Sequence, residues 1–233
     1  MPELFLKSEH IEETIDKLSK RIHERFPNSG LYRACRNLFD ISRETQQTAA
    51  WIARPHYSIR ITAVITIVGV LILTLFTVCN LQFKWNTWKL MDFIQTSEAA
   101  INVVILVSAG IIFLVTFENR QKRKRAIQSI NRLRSLAHVI DAHQLTKDPD
   151  RTSNLHLETP SSPKKTLTDY ELGRYLDYCS EMLSLTSKLG FLYVQNFDDP
   201  VANNAVNELE SLTNGLARKI WQKIMILKSR NPH

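Results

Sequence analysis

The side chains that most often carry chemistry are thinly spread in this chain, and their spacing argues against a reaction centre. His138, Asp141 and His143 form the densest set of potential metal ligands. On a helix, however, two histidines that share a metal favour the i, i+4 spacing that puts both rings on one face, and 138 and 143 are a residue further apart. The three cysteines, Cys35, Cys79 and Cys179, are odd in number and widely separated. They make neither a disulfide framework nor a zinc motif, and read as small buried hydrophobes. Tyr170, Tyr175, Tyr178 and Tyr193 read as helix-packing residues, and Glu12, Glu13 and Asp16 as a solvated face opposite an apolar stripe. No Gly-rich phosphate loop, G-x-S-x-G or H-E-x-x-H occurs. The expectation is a chain that is not an enzyme, with no catalytic residue, no metal and no cofactor.

Charge points elsewhere. The formal net charge is +7, and the densest cationic run is Arg120, Lys122, Arg123, Lys124 and Arg125. It directly follows an apolar stretch and has no aromatic residue interleaved, which fits a lipid surface and not a nucleic acid. The mean hydropathy of −0.18 conceals two segments nearly free of charge. One, ITAVITIVGVLILTLFTV, starts at Ile61 and extends towards Phe83; the other, AAINVVILVSAGIIFLVTF, covers 99–117. A helix needs about 20 apolar residues to cross a bilayer core of about 30 Å, so both are expected to span. The first begins too far along the chain for a cleaved signal peptide.

Lys and Arg in the flanks set the orientation. Arg54 and Arg60 precede the first span and the basic run follows the second, whereas the connecting loop has only Lys84 and Lys89. Both termini are therefore expected in the cytoplasm, in a plasma or inner membrane. Trp85 and Trp88 are expected at the opposite interface, where an apolar ring with a wet N–H is favoured. Anionic lipid is expected against Arg120, Lys122, Arg123, Lys124 and Arg125. Neither span contains Asp, Glu, Lys, Arg or His, and Asn102 is the one strongly polar residue, which disfavours an ion-coupled transporter. Gly69, Gly110, Ser108 and Thr66 fall at similar depths and offer a small-residue contact between antiparallel spans. Thr62, Thr66 and Thr77 would line a pore only in an oligomer.

Elements that position these groups read as helices, because six glycines and the absence of alternating apolar residues leave no strand signal. Ile11, Ile15, Leu18, Ile22 and Phe26 make one amphipathic stripe, with Ser8 as a candidate N-cap and Pro27 as a breaker. Ala34, Leu38, Ile41 and Thr45 mark a second helix ending before Pro55. After Phe117 nothing interrupts the helix, and Ala126, Ile130, Leu133, Ala137 and Ile140 continue with heptad-like spacing to about Leu145. A Pro- and Ser-rich linker follows. A closing hairpin has one face of Leu172, Tyr175, Leu176, Cys179, Leu183, Thr186, Leu189 and Tyr193. Its other helix carries Ala202, Val206, Leu209, Leu212, Leu216, Ile220 and Ile224, with Asp199 and Pro200 opening it. The basic stretch RKIWQKIMILKSR is expected in the bundle rather than on an anionic leaflet.

The expected fold is thus all-α: an N-terminal helical pair (1–57), a transmembrane hairpin (58–118, outer loop 84–98), an extension of the second span (119–145), a flexible linker (146–166) and a C-terminal helical hairpin (167–233). The expected function is a membrane-anchored helical scaffold or adaptor that meets copies of itself or a cytoplasmic protein. The alternative is an oligomeric pore or membrane effector gated by the cytoplasmic helices. Such an architecture occurs with many activities, so it names none by itself.

Overall fold

The computed structural model describes residues 5–55, 57–80, 90–147, 149, 161 and 166–230, and they are all-helical. Six helices follow in order: α1 Ser8–Arg25, α2 Gly30–Ala53, α3 Tyr57–Asn80, α4 Leu90–Leu145, α5 Asp169–Leu192 and α6 Pro200–Arg230. Trp85 and Trp88 lie outside the described residues, as does most of the expected linker. They fall into two units, one built from the chain up to Ala53 and from Arg123 onward, the other from Arg54–Lys122. The boundary of the second unit falls inside the 56-residue helix α4.

Two boundaries differ from the sequence reading. Ser8 opens α1 as its first helical residue, and the cap position is Lys7, whose side chain makes no capping bond. The last part of the expected outer loop, from Leu90 to Glu98, is helical. No Pro or Gly stands between Leu90 and Gly110, so nothing stops the helix from starting early.

The first unit is a five-helix bundle of α1, α2, the C-terminal half of α4, α5 and α6. One core joins them: Ile15, Leu18 and Ile22 of α1, Leu31 and Leu38 of α2, Ile130, Leu133 and Ile140 of α4, Leu176 and Leu183 of α5, and Leu209 and Ile220 of α6 are all fully buried. Each such side chain contributes about 2 kcal/mol of hydrophobic stabilisation. Every stripe read from the sequence is in this core except Leu212, which packs against it half-buried. Gly190 marks a close approach of α5 to α6, since a Cβ there would stand 2.7 Å from Leu209 Cδ2.

Pairs between helices fix their directions. Trp51 lies under Arg125, Glu44 pairs with Arg132, and the first turn of α2 at Gly30 touches His143, so α2 runs antiparallel to α4. Arg123 meets Asp199, Arg134 meets Glu208 and Lys223 meets Gln144, so α6 runs parallel to α4. Tyr175 stands by Lys147 and Tyr193 by Thr45, which returns α5 in the opposite sense. Thr168 and Glu171 close the start of α5 with a reciprocal capping box, which pulls the Glu171 carboxyl below its usual range.

The second unit uses the same residue types differently. Ile65 is 66% exposed, Leu106 72% and Phe113 65%. Among the described residues one helical segment, Ile101–Leu145, is long and apolar enough to cross a membrane, and α3 holds a shorter apolar stretch, Val64–Thr74.

Candidate functional site

The residues with the most to say about function lie at the end of the bundle where the chain departs after Ala53 and rejoins at Arg123. α2 brings Trp51 there and α4 brings Arg123 and Arg125. The Arg125 guanidinium sits 3.7 Å from the Trp51 ring centroid, so the departing and returning segments are held together by a cation–π contact. Beside them, Asp199 is buried, at 4% exposure, and does two jobs. Its Oδ1 accepts from the N–H groups of Val201 and Ala202 at 3.1 and 3.0 Å, capping α6 behind Pro200. Its Oδ2 accepts from Arg123 Nε at 2.8 Å and Nη2 at 2.7 Å. Burial alone raises the Asp199 pKa. The Arg123 bonds and the two N–H donors outweigh it and hold the carboxyl below its usual range.

The basic run is thereby divided. Lys122 is buried and lies 2.9 Å from the equally buried Glu118, one helical turn earlier in the second unit. Arg123 holds Asp199 and Arg125 holds Trp51. Arg120 and Lys124 project into the surroundings as exposed cations. Spacing along the sequence cannot separate these roles, because the partners Trp51 and Asp199 come from distant helices.

In the second unit, α3 and α4 line an apolar groove of about 260 Å³. Thr66, Ile67, Val70, Val107, Gly110, Ile111 and Leu114 are among its walls. Ile67, Val70, Val107, Ile111 and Leu114 are half-buried, so branched aliphatic side chains make the facing surfaces. Gly69 and Ser108 are exposed and do not line the groove. A Cβ at Gly69 or Gly110 would meet no described atom within 4 Å, so neither glycine is a point of close backbone approach within this unit. Thr66, Thr74 and Thr116 donate their hydroxyls to carbonyls of Thr62, Val70 and Ile112 one turn earlier in their own helices.

Elsewhere the candidate groups are absorbed by packing. His138 is exposed, Asp141 accepts from Gln144 Nε2 at 2.6 Å, and the His143 ring rests on the open face of Gly30. Burial, with Arg33 and Lys147 nearby, pushes the His143 pKa down. Burial pushes the Cys35 and Cys179 thiols up to about 12, which keeps both out of the reactive thiolate form. Tyr193 shares a buried 2.8 Å hydrogen bond with Thr45, and burial raises its pKa as well. Lys223 closes the far end of α4, donating to the Gln144 carbonyl at 2.9 Å, its side-chain Oε1 at 2.7 Å and the Lys147 carbonyl at 3.3 Å.

What this geometry defines is a class, a helical bundle interrupted by an apolar helical excursion. Compared with known protein families, with curated proteins and with solved structures, the chain matches none.

Proposed function

We propose that this chain is a non-catalytic integral membrane protein whose excursion, Arg54–Lys122, is a two-span hairpin and whose bundle is a cytoplasmic scaffold or adaptor. The observation that carries the reading is that residues before Ala53 and after Arg123 share one hydrophobic core. A single water-facing core lies on one side of a bilayer, so an excursion between its parts crosses an even number of times. The apolar part of α4 is one crossing, and α3, with 24 residues, is the return. At about 1.5 Å per residue α3 is about 36 Å long, enough for the hydrocarbon thickness. The high exposure of its aliphatic side chains, unpaid for in water, is what lipid contact requires. The excess of Lys and Arg in the flanks over the connecting loop puts both termini in the cytoplasm.

An oligomeric pore is the weaker reading. Of the threonines that would wet it, Thr66 donates its hydroxyl to the Thr62 carbonyl of its own helix, and the groove between α3 and α4 is lined mostly by aliphatic side chains. The anionic lipid contact assigned to the basic run falls on its exposed cations, Arg120, Lys124 and Arg125, the last of which also lies over Trp51. The bundle's partner is a cytoplasmic protein or a second copy.

Topology is tested by labelling with a membrane-impermeant maleimide in a Cys79→Ser background. Glu98→Cys and Glu210→Cys should react from opposite sides of the membrane, and reaction from one side sinks the two-span reading. The scaffold role fails if crosslinking in native membranes recovers only monomer.

A further inference from the structure

Arginines that tie one bundle helix to another meet carboxylates, as Arg21 meets Glu181, Arg123 Asp199, Arg132 Glu44 and Arg134 Glu208. Arg33 and Arg36 of α2 differ. Neither has a carboxylate within ion-pair distance among the described residues, and Arg36 lies only against the ring of Phe39 in its own helix. Arg36 is three residues and Asn37 four beyond Arg33, so the three side chains share one face of α2. That face and His143 of α4 wall a cavity of about 410 Å³, completed by Ala34 and Val139. No Asp or Glu lines it among the described residues. The side chains of Arg33, Asn37 and His143 make no hydrogen bond to any described residue. His143 reaches this wall because position 30 is glycine: its ring fills the space that a Cβ there would take.

Charge decides the kind of ligand. Two unpaired guanidiniums on one face repel each other, and no acidic wall cancels their field. The larger groove between α5 and α6 has no such sign, since Glu210 lines it together with Lys188, whose Nζ donates to Ser184. In the α2–α4 cavity His143 is neutral at pH 7, because burial, Arg33 and Lys147 hold its pKa below the ordinary value, and it offers one N–H. A carboxylate would bring two oxygens and one charge. A phosphomonoester brings three terminal oxygens and a charge of about −1.5 to −2 at pH 7, which suits two guanidinium forks. Ala34 and Val139 give the rest of the cavity an apolar side for a carbon body. We propose that the cavity between α2 and α4 binds a phosphomonoester, with Arg33 and Arg36 holding its terminal oxygens and Asn37 and His143 as neutral donors. All these residues belong to the bundle, so the site stands whether or not the excursion spans a membrane.

The test uses the full-length chain in a non-ionic detergent at constant ionic strength, so that screening does not change during a titration. Two probes carry the same phosphomonoester group: glycerol 3-phosphate in solution, and phosphatidic acid in mixed micelles. Acetate and phosphatidylcholine, a phosphodiester, are the controls. Calorimetry should show saturable binding of at least one phosphomonoester and neither control. Nuclear magnetic resonance should show the His143 ring titrating at higher pH in the complex, because a bound anion favours the imidazolium against the push of Arg33 and Lys147. Arg33→Ala and Arg36→Ala should each weaken binding about tenfold, as expected for losing a charge-assisted hydrogen bond. Arg36→Lys should lose less, since it keeps the charge but not the fork. Arg218→Ala, an exposed cation of α6, should change nothing. Arg33 and Arg36 are exposed, so circular dichroism melts of their variants should match the parent. Binding of glycerol 3-phosphate assigns a soluble ligand, and binding of phosphatidic acid alone assigns a lipid headgroup. Binding of neither overturns the proposal. So does binding that Arg218→Ala weakens as much as Arg33→Ala, or that leaves the His143 titration where it was, since both describe a general attraction to a basic surface.

Discussion

In the bundle, Ile15, Leu18 and Leu133 have no exposed surface, whereas in the excursion Ile65, Ile72 and Leu106 keep 66%, 62% and 72% of theirs. The amino acids are the same; their exposure in the two regions is not. The bundle segregates its residues into stripes, because water on the outer face demands polar side chains there. The excursion has no such stripe and is apolar all round, which is how a helix reads when hydrocarbon surrounds it. Polar groups follow the same division. Some bundle cations find carboxylates on other helices, as Arg21 finds Glu181 at 2.5 Å, whereas Thr66 and Thr74 of the excursion donate within their own helix.

The contrast is broken most directly by paired truncations. Leu133→Ala should cost about 3.5 kcal/mol in denaturant unfolding followed by circular dichroism, the cost of a cavity in a closed core. Leu106→Ala should shift the same transition by less than about 0.5 kcal/mol. Equal effects would mean that Leu106 belongs to a water-excluded core of the bundle's kind. A charge sharpens the other side of the comparison: Ile105→Arg should disfavour insertion by about 3 kcal/mol and move protein from the membrane to the soluble or degraded fraction. Unchanged fractionation would argue that Ile105 never meets lipid.

Smaller effects are expected where the chain rejoins the bundle. Asp199→Ala should destabilise by about 2 kcal/mol through the lost helix cap and the orphaned Arg123, and Asp199→Asn should recover about half by retaining the cap. The pH dependence has a definite sign. The folded-state pKa of Asp199 lies below its ordinary value of 3.8, so its contribution is complete above that value. It is lost as pH falls through the lower folded value. Acid unfolding monitored below pH 3.8 should therefore be shallower in Asp199→Asn than in the parent. Arg125→Gln should cost about 0.5–1 kcal/mol, read from the thermal midpoint, as the contact with Trp51 is only partly shielded. His143 should give the smallest effect. Its folded pKa is below the ordinary 6.5, so its contribution is present above pH 6.5 and lost on acidification below it. His143→Gln should remove that part of the pH slope in the thermal midpoint.

Much of the bundle was legible in the sequence. The stripes of Ile11, Ile15, Leu18, Ile22 and Phe26, and of Leu172 through Tyr193, are buried as read, because a 3.6-residue period records which side of a helix faces away from water. Asp199 and Pro200 were also readable as a helix start, since capping is a local interaction. The start of α4 was not. The segment from Leu90 to Glu98 reads as loop when only hydropathy is followed, yet it contains no helix breaker. The connected end of the bundle was only half visible. The cations 120–125 are obvious as a cluster, but their division among Glu118, Asp199, Trp51 and the exterior depends on partners up to 76 residues away. Of the small residues expected between the spans, Thr66 and Gly110 line the groove together with Ile67, Val70, Val107, Ile111 and Leu114, because which face of an all-apolar helix turns towards its neighbour leaves no trace in periodicity.

Composition and period alone therefore determined that this protein is helical, where its amphipathic faces lie, and that the stretches 61–78 and 99–117 carry no charged residue. These are properties of a residue and its neighbours within a few turns, and hydrophobicity acts on them without reference to the rest of the chain. Only the tertiary structure decided that the first 53 residues and those from Arg123 onward close into one core. It also decided that Arg123 and Arg125 serve the bundle, and that Trp221 lies at the end remote from both. Those outcomes depend on which helices run parallel and at what register. That is settled by ion pairs and side-chain interlocking between segments that the sequence keeps far apart.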